Sequence, residues 1–347
     1  MAFLRERRLV AAVALLACCS ADPAPGQTGS GAERPEQKFT LPSDPRLWHN
    51  SPPLSMESLA GKGVVFYFFE EECPRCAANW PNLQGLSKQY EGKPVLFIGV
   101  NSGSDPRVLK RYLAQNRVGW PIIHDYDRSL ETAMGVPKLS LQGEVFAVRY
   151  VAGDGSMGNG QGADFAGTAE SALRGAEWRV DPKTVPPKLL SAWRAIELGD
   201  FAAAARPVYQ AADSKDDDLK AGGDRLLEAV QAEVTEAAES AQESLSEGDE
   251  WAAYKGLEGI GHQFAGYEFD LVERAKTKAK ELAKSDAVKD QLAASRLLDK
   301  AMATASRGGS GAMNRAKGLL KRVVEDYPST ESAGKAQELL ATVDAAR

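Results

Sequence analysis

The sequence predicts two domains of different class, an α/β domain built on a parallel sheet followed by an all-α domain of helical hairpins. Between Gly63 and Trp178 short apolar runs alternate with helical segments, the pattern that parallel strands and crossover helices require. Beyond the proline-rich stretch Asp181-Pro182-Lys183-Thr184-Val185-Pro186-Pro187 the composition turns to Ala, Leu, Glu, Lys and Gln, and no strand is evident. The chain has 347 residues, 43% hydrophobic and 26% charged, enough for two cores, and its composition excludes a collagen, a wholly disordered chain and a porin. With 42 Lys+Arg against 48 Asp+Glu the net charge is −6, and no basic stripe exists for a nucleic acid to bind, so no nucleic-acid partner is expected.

The first element is an address. Arg5, Arg7 and Arg8 precede an apolar run from Leu9 to Ala17, the layout of a secretory signal and too short to span a bilayer. Leu15-Leu16-Ala17-Cys18 resembles the lipobox of bacterial lipoproteins. That resemblance implies cleavage after residue 17, lipid attachment at Cys18, and a chain exported to the bacterial cell envelope and anchored on the extracytoplasmic side. A plain secretory signal cut after a small residue such as Ala21 is the competing reading. Residues 18–43, rich in Pro, Gly, Ser, Glu and Gln, bury too little to fold and read as a tether. Cys19 has no evident partner and is either a second acylation site or an idle neighbour of Cys18.

The α/β domain is expected over 44–180. Val64-Val65-Phe66-Tyr67-Phe68-Phe69 is too short and too β-rich for a helix, so it predicts a central strand buried on both faces. A helix over 73–90 carries Trp80, Leu83, Leu86 and Tyr90 at spacings of three and four. A strand over 94–100, a helix over 107–116, a short strand over 121–124 and a helix over 129–134 follow. Strands near 138–141 and 145–151 are joined by Gln142-Gly143-Glu144 as a hairpin. Residues 153–164, glycine-rich with scattered Asp and Asn, fit no EF-hand spacing and read as a flexible loop, and a last helix is expected over 169–178.

The chemistry lies at the first strand-to-helix junction, Glu72-Cys73-Pro74-Arg75-Cys76. Two cysteines separated by two residues at a helix start can close a tight disulfide whose first sulfur faces solvent. Pro74 suits the first helical position. The helix end and Arg75 favour a thiolate at Cys73, while Glu70, Glu71 and Glu72 oppose it as a solvated acidic loop. Cys76, one turn on and less exposed, is the expected resolving thiol. The same motif also suits half a zinc site or an inert structural disulfide. Zinc needs further ligands, and His49, His124 and His262 show no ligand spacing, so neither a metal nor a cofactor is expected. His124 reads as a satisfied histidine at a strand end rather than a general base.

Residues 41–178 resemble the thioredoxin superfamily, in particular the exported TlpA and ResA-like thiol-disulfide oxidoreductases. The resemblance rests on Leu59-Ala60-Gly61-Lys62 before the strand, the CxxC after it, Trp80-Pro81, Phe97-Ile98-Gly99-Val100-Asn101, and Met134-Gly135-Val136-Pro137. It implies that Cys73 and Cys76 are catalytic, that Pro137 is a cis-proline beside them, and that the Val136 backbone pairs with bound substrate. It also implies client proteins bearing disulfides or thiols, and an unidentified redox partner. Three positions depart from the family pattern. Glu72 stands where Trp is usual, Asn79 where ResA-like members keep a glutamate, and Tyr67 where thioredoxins keep a buried acid, which leaves proton handling unassigned. Glu70 occupies the place of a peroxiredoxin threonine, which argues against peroxidase chemistry.

Residues 181–187 read as a linker and 188–347 as seven or eight helices. Turns are expected at Gly199-Asp200, at Gly248-Asp249 and at Arg307-Gly308-Gly309-Ser310. Their unequal spacing is no strict repeat, yet Gly-Asp between Ala-rich helices and the ending Asp326-Tyr327-Pro328 resemble tetratricopeptide-type arrays, which imply a protein-binding surface. This region has no cysteine and takes no part in thiol exchange. The alternative function, of a different class, is a non-catalytic envelope scaffold that binds partners through this array.

Overall fold

The computed structural model describes residues 39–102, 105–137, 139, 146–305 and 308–345. The signal segment, Cys18, Cys19, most of the tether and the Gln142-Gly143-Glu144 hairpin lie outside the described residues.

Six strands form one sheet in the order β1-β4-β3-β2-β5-β6, where β1 is Trp48–His49, β2 Gly63–Phe69, β3 Val95–Ser102, β4 Ile122–Asp125, β5 Phe146–Val151 and β6 Met157–Gly160. The three strands β2, β3 and β4 run parallel, and β1, β5 and β6 add antiparallel edges. Every residue of β2 is buried, as a central strand with both faces covered must be. Val65, Tyr67 and Phe69 face a cluster with α1 (Pro74–Gln89), α2 (Pro106–Gln115) and, beyond the shorter α3 (Ser129–Ala133), α4 (Phe165–Ala172). Val64, Phe66 and Phe68 face the opposite cluster, with the segment 39–59 and Leu130 of α3.

Two expectations are corrected in this domain. The glycine-rich stretch 153–164 is no simple loop, because β6 runs through it and pairs with β5, Gly158 lying under the Tyr150 ring and Gly160 against Val148. Side chains at those two positions would collide with β5, so glycine is what permits the pairing. The last helix, α4, begins four residues earlier than expected, at Phe165, because the Asp164 carboxylate accepts the Gly167 N–H at 2.8 Å as its cap, and it ends at Ala172.

Eight helices follow among the described residues: α5 Leu190–Glu197, α6 Phe201–Ala212, α7 Asp217–Ser246, α8 Glu250–Gln263, α9 Asp270–Leu282, α10 Asp286–Ala305, α11 Ser310–Asp326 and α12 Glu331–Ala345. The Gly-Asp turns work as a relay. Gly199 and Gly248 take the left-handed conformation that ends one helix. Asp200 and Asp249 then cap the next, accepting from Ala203 N at 3.4 Å and Ala252 N at 2.8 Å. One apolar core spans α5 to the start of α10, and a second joins α10, α11 and α12. No described helix is long and apolar enough to cross a membrane.

The two domains meet through buried charge. Lys62, just before β2, pairs with Glu197 of α5 at 3.1 Å, and both side chains are 1% exposed. Arg179 bridges Glu197 to Glu233 of α7 at 3.8 and 2.7 Å, and Val180 N donates to the Glu197 carboxylate at 2.9 Å. Trp178 packs edge-on against Trp193 with Lys62 over its ring. Residues 181–187 are part of this packing, since Val180 and Val185 both belong to the helical core.

Candidate active site

The parallel strands end together at one rim of the sheet, with Phe69 beside Asn101 and Asn101 beside His124. The loop from β2 turns there into α1, and Cys73 is the residue that caps it. Its backbone is extended, and its Sγ accepts the Cys76 N–H at 3.1 Å, supplying a partner for one of the helix-start N–H groups. Pro74 takes the first helical position, where no N–H is missed. The Cys73 Sγ thus sits at the positive end of the α1 dipole.

Cys73 and Cys76 are not joined in a disulfide in this structure and both are buried, Cys73 at 1% and Cys76 at 0% exposure. The expectation of a solvent-facing first sulfur is corrected: Cys73 folds into the aromatic cluster of Tyr67, Phe69 and Trp80. Burial, and then the neighbouring Cys73, push the Cys76 thiol up to about 12. Cys76 therefore holds its proton at neutral pH. Pro74, Arg75 and Glu72 surround the pair on the exposed surface.

The acidic loop is more structured than expected. Glu70 pairs with Arg128, which also binds Glu131 at 2.9 Å, and the Glu71 carboxylate accepts from Asn101 Nδ2 at 3.3 Å. Only Glu72 of the three is a plain solvated side chain. Glu70 O also accepts the Cys73 N–H at 3.3 Å, so the Arg128 tie fixes the approach to the first cysteine. Arg128 has a left-handed backbone just before α3, a position no sequence pattern marked.

Val136 and Pro137 leave α3 on the other arm of this network. Val136 N donates to Glu131 O at 2.9 Å, and Arg149 of β5 donates to the carbonyls of Met134 and Gly135 at 3.3 and 2.8 Å. Val136 is buried and Pro137 exposed. The Val136–Pro137 peptide is trans, no cis bond occurring among the described residues, so the cis expectation is corrected. Trans is the lower-energy form for X–Pro.

Beneath the thiols Trp80 is fully buried and donates to the Tyr112 hydroxyl at 2.9 Å. Burial, above all, raises the pKa of both Tyr67 and Tyr112 above the ordinary phenol range, and the nearby Cys76 adds to each. Glu71 acts on Tyr112 from the edge of this floor. His124 is buried and engaged, as a strand-end histidine should be. Asp125, which sequence reasoning passed over, caps α3 by accepting from Leu130 N and Glu131 N, and burial raises its pKa. Among the described residues no group of three His, Cys, Asp or Glu side chains is placed to hold a metal ion.

Comparison with known proteins agrees with this domain. A sequence model of the AhpC/TSA family matches residues 32–151, about a third of the chain. The thiol-disulfide oxidoreductase ResA of Halalkalibacterium halodurans is 27% identical over 86 residues, 25% of this chain and 49% of that protein. ResA of Bacillus subtilis is 26% identical over 90 residues, 26% of this chain and 50% of that protein. The chain thus spans about half the length of the curated relatives it matches. A secreted Mycobacterium tuberculosis disulfide oxidoreductase aligns in structure with 20% identity over 39% of this chain and 96% of that one, at a TM-score of 0.31. The amino-terminal domain, with its CxxC at the start of α1, is thus similar to the ResA thiol-disulfide oxidoreductases, as its resemblance to the thioredoxin superfamily implies.

Proposed function

We propose that this chain is an envelope thiol-disulfide oxidoreductase, exported and held to a membrane by lipid at Cys18, that exchanges disulfides with client proteins through Cys73 and Cys76. The observation that carries the reading is the asymmetry of the pair. Cys73 Sγ caps α1 at 3.1 Å from Cys76 N, while Cys76 is driven to about 12 in the aromatic floor. Cys73 attacks a client disulfide, a mixed disulfide forms, and Cys76 releases the client. The reverse sequence oxidises, and the direction follows the potential of the pair and the redox partner that regenerates it. Pro137 and the Val136 backbone, tied to the Cys73 loop through Glu131, Arg128 and Glu70, form the client-facing edge in this reading. The ResA relatives support the activity, and the Leu15-Leu16-Ala17-Cys18 sequence supports the anchor.

The test is a redox titration of the purified chain in graded glutathione or dithiothreitol buffers, with free thiols counted at Cys73 and Cys76. A single two-electron transition is expected, lost in Cys73→Ser and Cys76→Ser. A pair that reduces only on unfolding, or never closes, would refute the redox reading and leave the helical scaffold as the function.

A further inference from the structure

The fully buried Tyr67 hydroxyl closes no hydrogen bond of normal geometry in the dithiol state. Its polar neighbours are the side chains of Asn79 and Cys76. Tyr67 stands on β2 at the heart of the site, packed edge-on against Trp80 at 5.4 Å and stacked on Phe69 at 5.9 Å, so its ring cannot swing away. An unpaired buried donor is costly to keep, and a neighbouring group that becomes an anion during the reaction gives it a use. The anion available here is the Cys76 thiolate.

The geometry points to Tyr67 as the hydrogen-bond donor that stabilises the Cys76 thiolate in the resolving step, with Asn79 as the positioning residue that orients its hydroxyl. This rests on the exchange function proposed above and assigns the proton handling that the family's carboxylates leave vacant. Asn79 lies beside the Tyr67 hydroxyl and favours its phenolate, and with no hydrogen bond closed the phenol proton can turn to Cys76 Sγ. Tyr67 in turn lowers the Cys76 pKa, against the larger effect of burial. Tyr67 keeps its own proton throughout. Cys76 Sγ attacks Cys73 Sγ, the bond from Cys73 to the client sulfur breaks, and its electron pair leaves with the client. The proton given up by Cys76 ends on the departing sulfur, so the client leaves as a thiol. The titratable groups facing Cys76 are Cys73, Tyr67 and, from α2, Tyr112, with Glu71 in turn near Tyr112.

The test is stopped-flow reaction of the reduced full chain, in a Cys18→Ser, Cys19→Ser parent, with 5,5′-dithiobis(2-nitrobenzoate). The first nitrothiobenzoate released reports attack by Cys73, and the second reports resolution by Cys76. Tyr67→Phe keeps the ring and should slow the second phase about tenfold or more, needing roughly one pH unit more to reach the parent rate, with the first phase unchanged. Asn79→Ala should slow only the second phase, by a smaller factor, and add nothing in the Tyr67→Phe background. A second phase unaltered in Tyr67→Phe across pH 6–9 overturns the assignment, as does equal slowing of both phases, the sign of a merely structural role. A parent that releases only the first equivalent would instead sink the exchange reading itself.

Discussion

Glu197→Gln is the sharpest probe of how the two domains are joined. The substitution keeps an amide oxygen to accept the Val180 N–H but removes the charge opposite Lys62, which is 1% exposed. In the native cluster Lys62 and Arg179 face Glu197 and Glu233, two charges of each sign. The variant leaves two cations on one carboxylate, and removing one partner of a buried pair costs about 3–5 kcal/mol. The cost has a ceiling, because Lys62 can give up its proton. From its ordinary value of 10.5, neutralising a lysine costs about 4.8 kcal/mol at pH 7 and about 2 kcal/mol at pH 9. The sign follows from proton counting. A lysine neutral in the folded variant and charged in the unfolded chain binds fewer protons when folded, so stability rises with pH up to the unfolded pKa. Urea unfolding followed by tryptophan fluorescence reads this interface directly, since Trp178 and Trp193 meet edge-on there at 5.1 Å. The variant is expected to lose about 3–5 kcal/mol at pH 7 and about 2 kcal/mol at pH 9. Lys62→Met should cost less, because Glu197 keeps Arg179 at 3.8 Å. A Glu197→Gln chain within about 1 kcal/mol of the parent at pH 7, or with no recovery toward pH 9, refutes the argument.

Other perturbations test the site and the sheet. In Cys73→Ser, alkylation of Cys76 by iodoacetamide at pH 8 should be at least about tenfold slower than at an ordinary cysteine, because burial still raises its pKa once the contribution of Cys73 is gone; an ordinary rate would contradict its burial. Arg128→Met strands Glu131, whose side chain is 3% exposed, and unties Glu70 from α3, so a loss of about 1–3 kcal/mol with faster amide exchange at Cys73 is expected, and unchanged exchange would count against the tie. Gly63→Ala would place a Cβ 2.5 Å from the Ala172 carbonyl oxygen and should cost about 1–3 kcal/mol in thermal melts. Gly85→Ala meets nothing within 4 Å inside α1 and should stabilise by up to about 1 kcal/mol, so the pair of glycines separates crowding from backbone freedom.

What could be read from the sequence followed from local physics. A run such as Val64 to Phe69 has one stable use, a buried strand, and a CxxC with proline between can hardly sit anywhere but a helix start. The Gly-Asp relay of the helical domain was legible for the same reason, each residue type serving one helix end. The rest depended on partners distant in sequence. Nothing marks Met157 to Gly160 as a strand, since glycine disfavours strands and only the facing Tyr150 and Val148 explain its use. Arg128 lies 58 residues from Glu70, and its role exists only once the loop before Cys73 and α3 share one rim. Cys73 reads as exposed from its position in a loop, and becomes buried because Tyr67, Phe69 and Trp80 converge on it. Lys62 reads as part of a family motif, yet here its ammonium is committed to Glu197 of the second domain.

That commitment sets the relation between the helices and the redox chemistry. The ion cluster lies at the amino end of β2 and the cysteines beyond its carboxyl end, so the seven residues of the strand, roughly 20 Å at 3.3 Å per residue, stand between them. The Lys62 and Arg179 charges are balanced where they stand by Glu197 and Glu233, so the cluster carries no net charge to act on the thiols over that distance. The helical domain therefore leaves the thiol acidities to local groups, the α1 terminus, the aromatic floor and the Tyr67 hydroxyl. It also leaves Glu72, Arg75 and Pro137 exposed at the rim beside Cys73. Its influence on exchange is positional: by gripping the opposite end of the sheet through a buried pair, it fixes where the redox head points.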